Sequence, residues 1–460
     1  MSQTFNLSRG TKFYVSTVNA GWSTSDTFRV NILNGYTFSQ GVATQEIGLK
    51  EAGNKPVRGQ KIFNTAINPA DFSFSTYLRP YYASSNHNCV EKLLWESLVG
   101  PGPIGTNVVP GTTKMVIDFE NSDVHELLAL YMYFELDSTT YRLDNAIIKT
   151  AVIDFAIDSI AKITWSGNAT AIVQTTAPTT SLAVDTGAKY IKNRLSTISL
   201  TNNAGTTQGT QVLNYTSGID ANSLCGLING TTYTGSLVVD GGSAQSLSWN
   251  PPASSTYQDL IDQFNGQVFG ALADINTAGD IVITSATNGT TSTIAYTEPG
   301  ANDLFGDSTG FATIDAAVDG TSTGKVFNLA ITGGSLSLEN NTTFLTPEEL
   351  GVVNSTIGSF TGTRKVMGTV SAYLRTGSNN TAGLLADMVA ATSTVTHNFA
   401  MSPFIGGVSN TPRVELVMKH AHLVIPAVSI QDVLSVDIAF TGLGQDISQK
   451  DEITVNYIAQ

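Results

Sequence analysis

The chain has 460 residues, enough for about three domains of ordinary size, each able to bury its own core. Charged residues make up only 13% and the formal net charge is −14, a texture without the Lys- and Glu-rich helices common in cytosolic enzymes; the abundant Thr, Ser, Asn and Gly suit an all-β structural protein with Thr in its strands and Asn and Gly in its turns. Met1-Ser2-Gln3-Thr4-Phe5-Asn6 has no apolar core of signal-peptide length, and no run approaches the roughly 18 apolar residues of a membrane span, so a soluble protein made in a cytoplasm is expected.

In chain order, Lys12-Phe13-Tyr14-Val15-Ser16-Thr17 and Phe72-Ser73-Phe74-Ser75-Thr76-Tyr77 read as aromatic-rich strands. Val90 to Leu98 carries apolar residues at helical spacing, stopped by Gly100-Pro101, and predicts one short helix against the sheet. Ala146 to Phe155 is mostly apolar and β-branched, as a long, partly buried strand requires. Thr175-Thr176-Ala177-Pro178-Thr179-Thr180 reads as a linker. Beyond it two echoes of the first part return in the same order. Phe74-Ser75-Thr76-Tyr77-Leu78-Arg79 recurs as Val370-Ser371-Ala372-Tyr373-Leu374-Arg375, and Ile163-Thr164-Trp165-Ser166-Gly167 recurs as Ile438-Ala439-Phe440-Thr441-Gly442. Leu384 to Ala390 follows the second Tyr-Leu-Arg as a helix, as Val90 to Leu98 follows the first. The expectation is one duplicated domain, copy 1 in residues 1–177 and copy 2 in residues 178–200 and 326–460, similar in plan but not in loop length.

Residues 201–325 interrupt the second copy. From Thr201 to Gly324 there is no Lys or Arg, while Asp220, Asp240, Asp259, Asp262, Asp274, Asp280, Glu298, Asp303, Asp307, Asp315 and Asp319 supply most of the negative charge. Gly235-Ser236-Leu237-Val238-Val239-Asp240-Gly241-Gly242 predicts a strand into a tight turn, Thr256 caps an amphipathic helix over Tyr257 to Asn265, and Gly279 to Thr284 returns as a strand, together a small α+β module. Its order resembles compact modules inserted into phage and flagellar structural proteins.

Chemistry-bearing constellations are scarce. Cys89 and Cys225 fall in different segments and form no CxxC, so two free thiols are expected. His420-Ala421-His422 places two imidazoles on one strand face with no third ligand encoded nearby, and no metal or other cofactor is expected. GxSxG, HExxH and a Walker lysine are absent. Thr346-Pro347-Glu348-Glu349 has the form of a helix start, with Thr as cap and acids in the first turn. No catalytic site is expected.

The segment Lys50-Glu51-Ala52-Gly53-Asn54-Lys55-Pro56-Val57-Arg58-Gly59-Gln60-Lys61, continuing into Phe72 to Pro80, resembles the major tail tube protein of long, non-contractile-tailed bacteriophages of the T-five type. Ile163 to Asn168, Tyr190 to Asn193, Asn341 to Pro347, Ile357 to Gly362 and Ala421 to Pro426 match in order. The resemblance implies a mainly β fold of tandem duplicated tail-tube β-sandwich or barrel domains, each with a short helix; the acidic α+β module inserted in the second copy is a departure from the family, and as a decoration it would emerge from a different place. The resemblance also implies three chains closing a pseudo-sixfold ring and rings stacking into the hollow tail through which DNA leaves the head. The implied partners are further copies of the chain, the tape-measure, terminator and tail-tip proteins, and DNA in transit without sequence-specific binding. No membrane is involved, and the locations implied are the virion tail and, during assembly, the host cytoplasm. The immunoglobulin-like module that follows the second tube domain in the family has no counterpart before Gln460.

Ser39 to Asn68, read as a long loop-like arm, is expected to reach the next ring through Glu46, Lys50, Glu51, Lys55, Arg58 and Lys61, with Asn340 to Gly362, including Glu348 and Glu349, as its shorter counterpart. The alternative function is a virion or surface glycan-binding protein using the inserted module, which exposed aromatics near Trp249 and Tyr257 would favour.

Overall fold

The aromatic and β-branched runs become strands in which alternate side chains are buried, as the two-residue period of a half-covered sheet requires. The computed structural model describes residues 10–48, 60–100, 105, 107–119, 126–183, 187–202, 207–287, 291–321, 325–350, 352–390, 398–424, 428–429, 434–444 and 450–460. Two compact units emerge, Met1–Leu200 with Phe327–Gln460, and Thr201–Val326.

The first half of the larger unit contains β1 (Lys12–Ser16), β2 (Thr27–Val30), β3 (Thr37–Gly48), β4 (Gln60–Tyr77), α1 (Lys92–Val99), β5 (Met115–Asp118), β6 (Leu130–Leu136), β7 (Thr139–Asp154), β8 (Lys162–Ala169) and β9 (Ala171–Thr175). One antiparallel sheet runs β2-β1-β6-β7, and a second runs β7-β8-β4-β3. The long strand β7 belongs to both. Its register slips between Leu143 and Ala146 and again between Ile148 and Thr150, and Asn145 takes a left-handed φ of 48°, so the strand bends from one sheet into the other. The two layers meet through aromatics: the Phe13 ring of β1 lies 4.7 Å from Phe74 of β4 and 4.8 Å from Phe134 of β6. Helix α1 buries Leu93, Leu94, Trp95 and Leu98, with the Trp95 ring 5.1 Å from Trp165 of β8, and it stops where the Gly100 N–H donates to Glu96 O.

Strand β10 (Thr197–Asn202) leads into the smaller unit, which holds β11 (Thr210–Tyr215), β12 (Tyr233–Val239), β13 (Gln245–Trp249), α2 (Tyr257–Asn265), β14 (Ala271–Ile275), β15 (Ile281–Ser285), β16 (Ile294–Thr297) and β17 (Phe311–Ile314). Its sheets run β14-β15-β11-β17 and β13-β12-β16. Thr256 caps α2 in a reciprocal capping box with Asp259, and Leu260, Ile261 and Phe264 are buried. After β12, Asp240 and Gly241 take φ of 52° and 66° while the Gly242 N–H donates to Val239 O, the left-handed tight turn that Asp-Gly favours.

The second half of the larger unit continues with β18 (Val326–Asn328), β19 (Ile331–Leu345), β20 (Gly358–Tyr373), α3 (Thr381–Ala390), β21 (Asn398–Ile405), β22 (Arg413–Leu423), β23 (Ser435–Leu443) and β24 (Thr454–Ile458). Its pairings, β18-β10-β21-β22 and β22-β23-β20-β19, follow the same connection pattern as β2-β1-β6-β7 and β7-β8-β4-β3. Strand β24 lies on Arg413–Val417 of β22 as β9 lies on Thr140–Asp144 of β7. The two sequence echoes are offset by two residues. Ile163 faces Thr76 and Ile438 faces Val370, so Val370 stands where Thr76 stands, not where Phe74 does. A two-residue slip leaves every side chain on its original face, which is why the letters match in either register.

Candidate assembly surfaces

The described parts of Ser39 to Asn68, residues 39–48 and 60–68, are strand, in contrast to the loop-like arm expected from sequence. β3 and β4 stay paired through Val42 with Ile67, Gln45 with Phe63 and Gly48 with Gln60, making a two-stranded ribbon. The charged letters obscured an alternating, Thr- and Ile-containing pattern. Glu46 sits opposite Ile62 and Ile47 opposite Lys61, while Lys50, Glu51, Lys55 and Arg58 lie outside the described residues. Val42, Ile47, Ile62, Phe63 and Ile67 are all exposed. Ile62 and Phe63 are adjacent and so point to opposite faces, at 57% and 46% exposure, which leaves apolar side chains in water on both sides of the ribbon. Two strands uncovered on both faces are of marginal stability in water, and contiguous exposed apolar surface marks a binding surface.

The loop between β19 and β20 approaches this ribbon. Ile67 N–H donates to Asn354 O (2.8 Å), Asn354 N–H donates to Thr65 O (3.1 Å), and Glu349 N–H donates to the Asn354 side-chain oxygen (2.8 Å). The helix start expected at Thr346-Pro347-Glu348-Glu349 does not form: these residues lie in the connection between two long strands, outside helix and strand, and the Glu349 N–H closes a loop on Asn354 instead. Leu350, Val352, Val353 and Ile357 are exposed on the same loop. Glu348 and Glu349 thus lie on a segment joined to the β3–β4 ribbon. The apolar residues around them, which the charge-based reading passed over, dominate the surface.

A third feature is the seam between the halves. Thr150–Asp154 of β7 pairs antiparallel with Ser335–Glu339 of β19, Ala151 opposite Leu338 and Val152 opposite Ser337. Across the same seam Trp95 Nε1 donates to Tyr457 Oη (2.9 Å), Ala459 N–H donates to His87 Nδ1 (2.9 Å), and Asn340 Nδ2 donates to Leu98 O (2.6 Å). Glu91, immediately before α1, is almost fully buried here. Burial pushes its carboxyl up to about 8, against the pull of the Glu91 and Arg79 backbone N–H groups and the Arg79 guanidinium. Burial likewise raises the Cys89 thiol and lowers His87.

The remaining sequence candidates are dispersed. His420 and His422 share the face of β22 opposite buried Ala421 and Leu423, and burial lowers His420 while Asp451 pulls it the other way. Among the described residues no group of three or more His, Cys, Asp or Glu side chains could hold a metal ion, and no helix is long and apolar enough to cross a membrane. Cys89 and Cys225 are free thiols, both buried. Trp249 and Tyr257 are 8% and 2% exposed, so the aromatic platform that a glycan-binding reading needs is absent from that place.

A mainly β chain whose most conspicuous surface is an uncovered apolar ribbon has the character of a structural subunit. No family model matches the chain. It is 24% identical over 456 residues to tail tube protein pb6 of Escherichia phage T5, an alignment that covers 97% of this chain and 74% of that protein. The resemblance drawn from the sequence is therefore borne out, and the chain is a relative of the T5-type tail tube proteins over nearly its whole length.

Proposed function

We propose that this chain is a major tail tube subunit, a structural virion protein without catalytic activity, and that its two halves are tube domains of common descent, three chains closing a ring and rings stacking into a hollow conduit for DNA. The single observation that carries ring closure is the seam pairing of β7 with β19. The glycines of the second echo relate the halves: Phe38 pairs with Phe72, which pairs with Gly167, and Leu338 pairs with Val366, which pairs with Gly442. Phe38 thus stands where Leu338 stands, and Thr37 where Ser337 stands. On the other side, Val152 faces Thr164, and the Val424 N–H donates to Ala439 O, which makes Val424 the counterpart of Val152. Within one chain Val152 is paired with Ser337, whereas Val424 is 51% exposed just beyond the end of β22. The edge left over at Thr37 on one copy is therefore complementary to the edge at Val424 on the next, and pairing them removes the open strand edges that invite uncontrolled association.

The ribbon and the β19–β20 loop then serve ring-to-ring contact, with Glu46, Lys50, Glu51, Lys55, Arg58, Lys61, Glu348 and Glu349 around an apolar centre. Tape-measure, terminator and tail-tip proteins would be the further partners, the virion tail the final location and the host cytoplasm the site of assembly. The near-neutral larger unit is compatible with DNA passage, since clustered Lys and Arg would hold phosphates by counterion release.

The test is a Thr37→Cys, Val424→Cys chain, oxidised under assembly conditions and compared by negative-stain microscopy and non-reducing electrophoresis with each single variant. Disulfide-linked dimers and trimers within hollow annuli are expected only when both cysteines are present. Annuli without the cross-link would refute this edge pairing, and failure of the wild-type chain to form annuli or tubes would refute the tube reading.

A further inference from the structure

We infer that the inserted unit is an electrostatic spacer that keeps assembled tubes from associating side by side, an inference that rests on the tube reading above. The unit is separable from the fold it interrupts. It has its own core, built on Leu213, Leu237, Leu260, Phe264, Ile283 and Phe305, and its two ends run together as a paired stem. Asn202 N–H donates to Lys325 O (3.0 Å), Thr207 N–H to Thr321 O (2.8 Å), and Thr210 N–H to Val318 O (2.8 Å). The corresponding connection in the first half, between β1 and β2, is closed by residues 17–26 alone. Closing this connection therefore needs no inserted unit, and the unit's role must be sought in its surface.

That surface is of one sign. Between Thr201 and Val326 the only basic residue is Lys325, against eleven acids, and Asp220, Asp259, Asp262, Asp274, Asp307, Asp315 and Asp319 are exposed. A unit of this length has a radius of gyration of about 14 Å. Three of them per ring would compete with duplex DNA for the bore, and we take them to lie on the outside of the tube. A tube repeats its surface at every ring, and a weak sideways contact between two tubes is multiplied by every ring they share. Leu224, Ile228 and Phe269, all more than half exposed on this unit, provide such a contact. Like charge repeated at the same interval opposes it, over about 30 Å at 0.01 M salt and about 8 Å at physiological salt.

The experiment uses the full chain with Asp262→Asn, Asp274→Asn, Asp307→Asn and Asp319→Asn together, substitutions that keep an acceptor oxygen at each position while removing the charge. Tubes of wild type and variant are followed by light scattering and negative-stain microscopy from 0.01 M to 1 M NaCl. Wild-type tubes should stay dispersed at low salt and bundle as salt rises, and the variant should scatter several-fold more at 0.01 M and bundle at a lower salt concentration than wild type. Tubes that form in both proteins but scatter alike at every salt overturn the spacer alone. A wild-type chain that forms no tubes overturns the tube reading and this inference with it.

Discussion

Replacing Glu91 by Gln should make the unassembled protein more stable in a way that depends on pH. Glu91 carries its proton up to about pH 8 when folded, against an ordinary 4.5 when unfolded, because burial penalises the charged form. Between those two pH values the unfolded chain releases a proton that the folded chain keeps, so the group's contribution to stability falls as pH rises, by about 1.4 kcal/mol per pH unit. Summed over the interval, roughly 5 kcal/mol is lost by pH 8, with the protein favoured at the acid end. Gln fills nearly the same volume and cannot ionise. The assay is urea denaturation at pH 5, 6.5 and 8, followed by tryptophan fluorescence, on wild type and Glu91→Gln. His87 titrates toward the acid end in both proteins and cancels in the difference, while the Cys89 thiol and Tyr457 hydroxyl, both pushed up by burial, stay protonated. The gap between variant and wild type should be small at pH 5 and reach several kcal/mol at pH 8. Parallel pH profiles for the two proteins would refute the reasoning.

Two further outcomes follow from packing. Gly368→Ala would place a Cβ 2.3 Å from the Phe440 ring and 2.4 Å from Ser335 O, both fixed in the β19-β20-β23 sheet, so a loss of roughly 3 kcal/mol or more is expected in chemical denaturation, and a midpoint shift below a quarter of that would contradict the tight packing. Thr256→Ala removes the hydroxyl that accepts from the Asp259 N–H, leaves the backbone N–H of residue 256 donating to the Asp259 carboxylate, and should cost about 1 kcal/mol, read from the fluorescence of Trp249, the inserted unit's sole Trp, with no change in the transition of the larger unit.

The strands with a strong period-two or aromatic pattern, such as Lys12 to Ser16 and Ala146 to Asp154, and both short helices that follow the Tyr-Leu-Arg segments were legible in the letters alone. So was the cap and turn chemistry at Thr256 and Asp240-Gly241. These are local: side-chain shape, capping oxygens and positive φ act within a few residues, so the letters suffice. The remaining features depend on contacts between distant segments. Ser39 to Asn68 needed the register of β3 on β4 before it could be seen as an apolar ribbon. Thr346 to Glu349 forms no helix because Asn354 and the flanking strands set its path, overriding a favourable start signal. The burial of Trp249 and Tyr257 follows from a core assembled from distant segments. The seam that gives the chain its complementary edges joins Val152 to Ser337, residues far apart in sequence, and non-local pairing of that kind is set by which faces and edges meet in three dimensions.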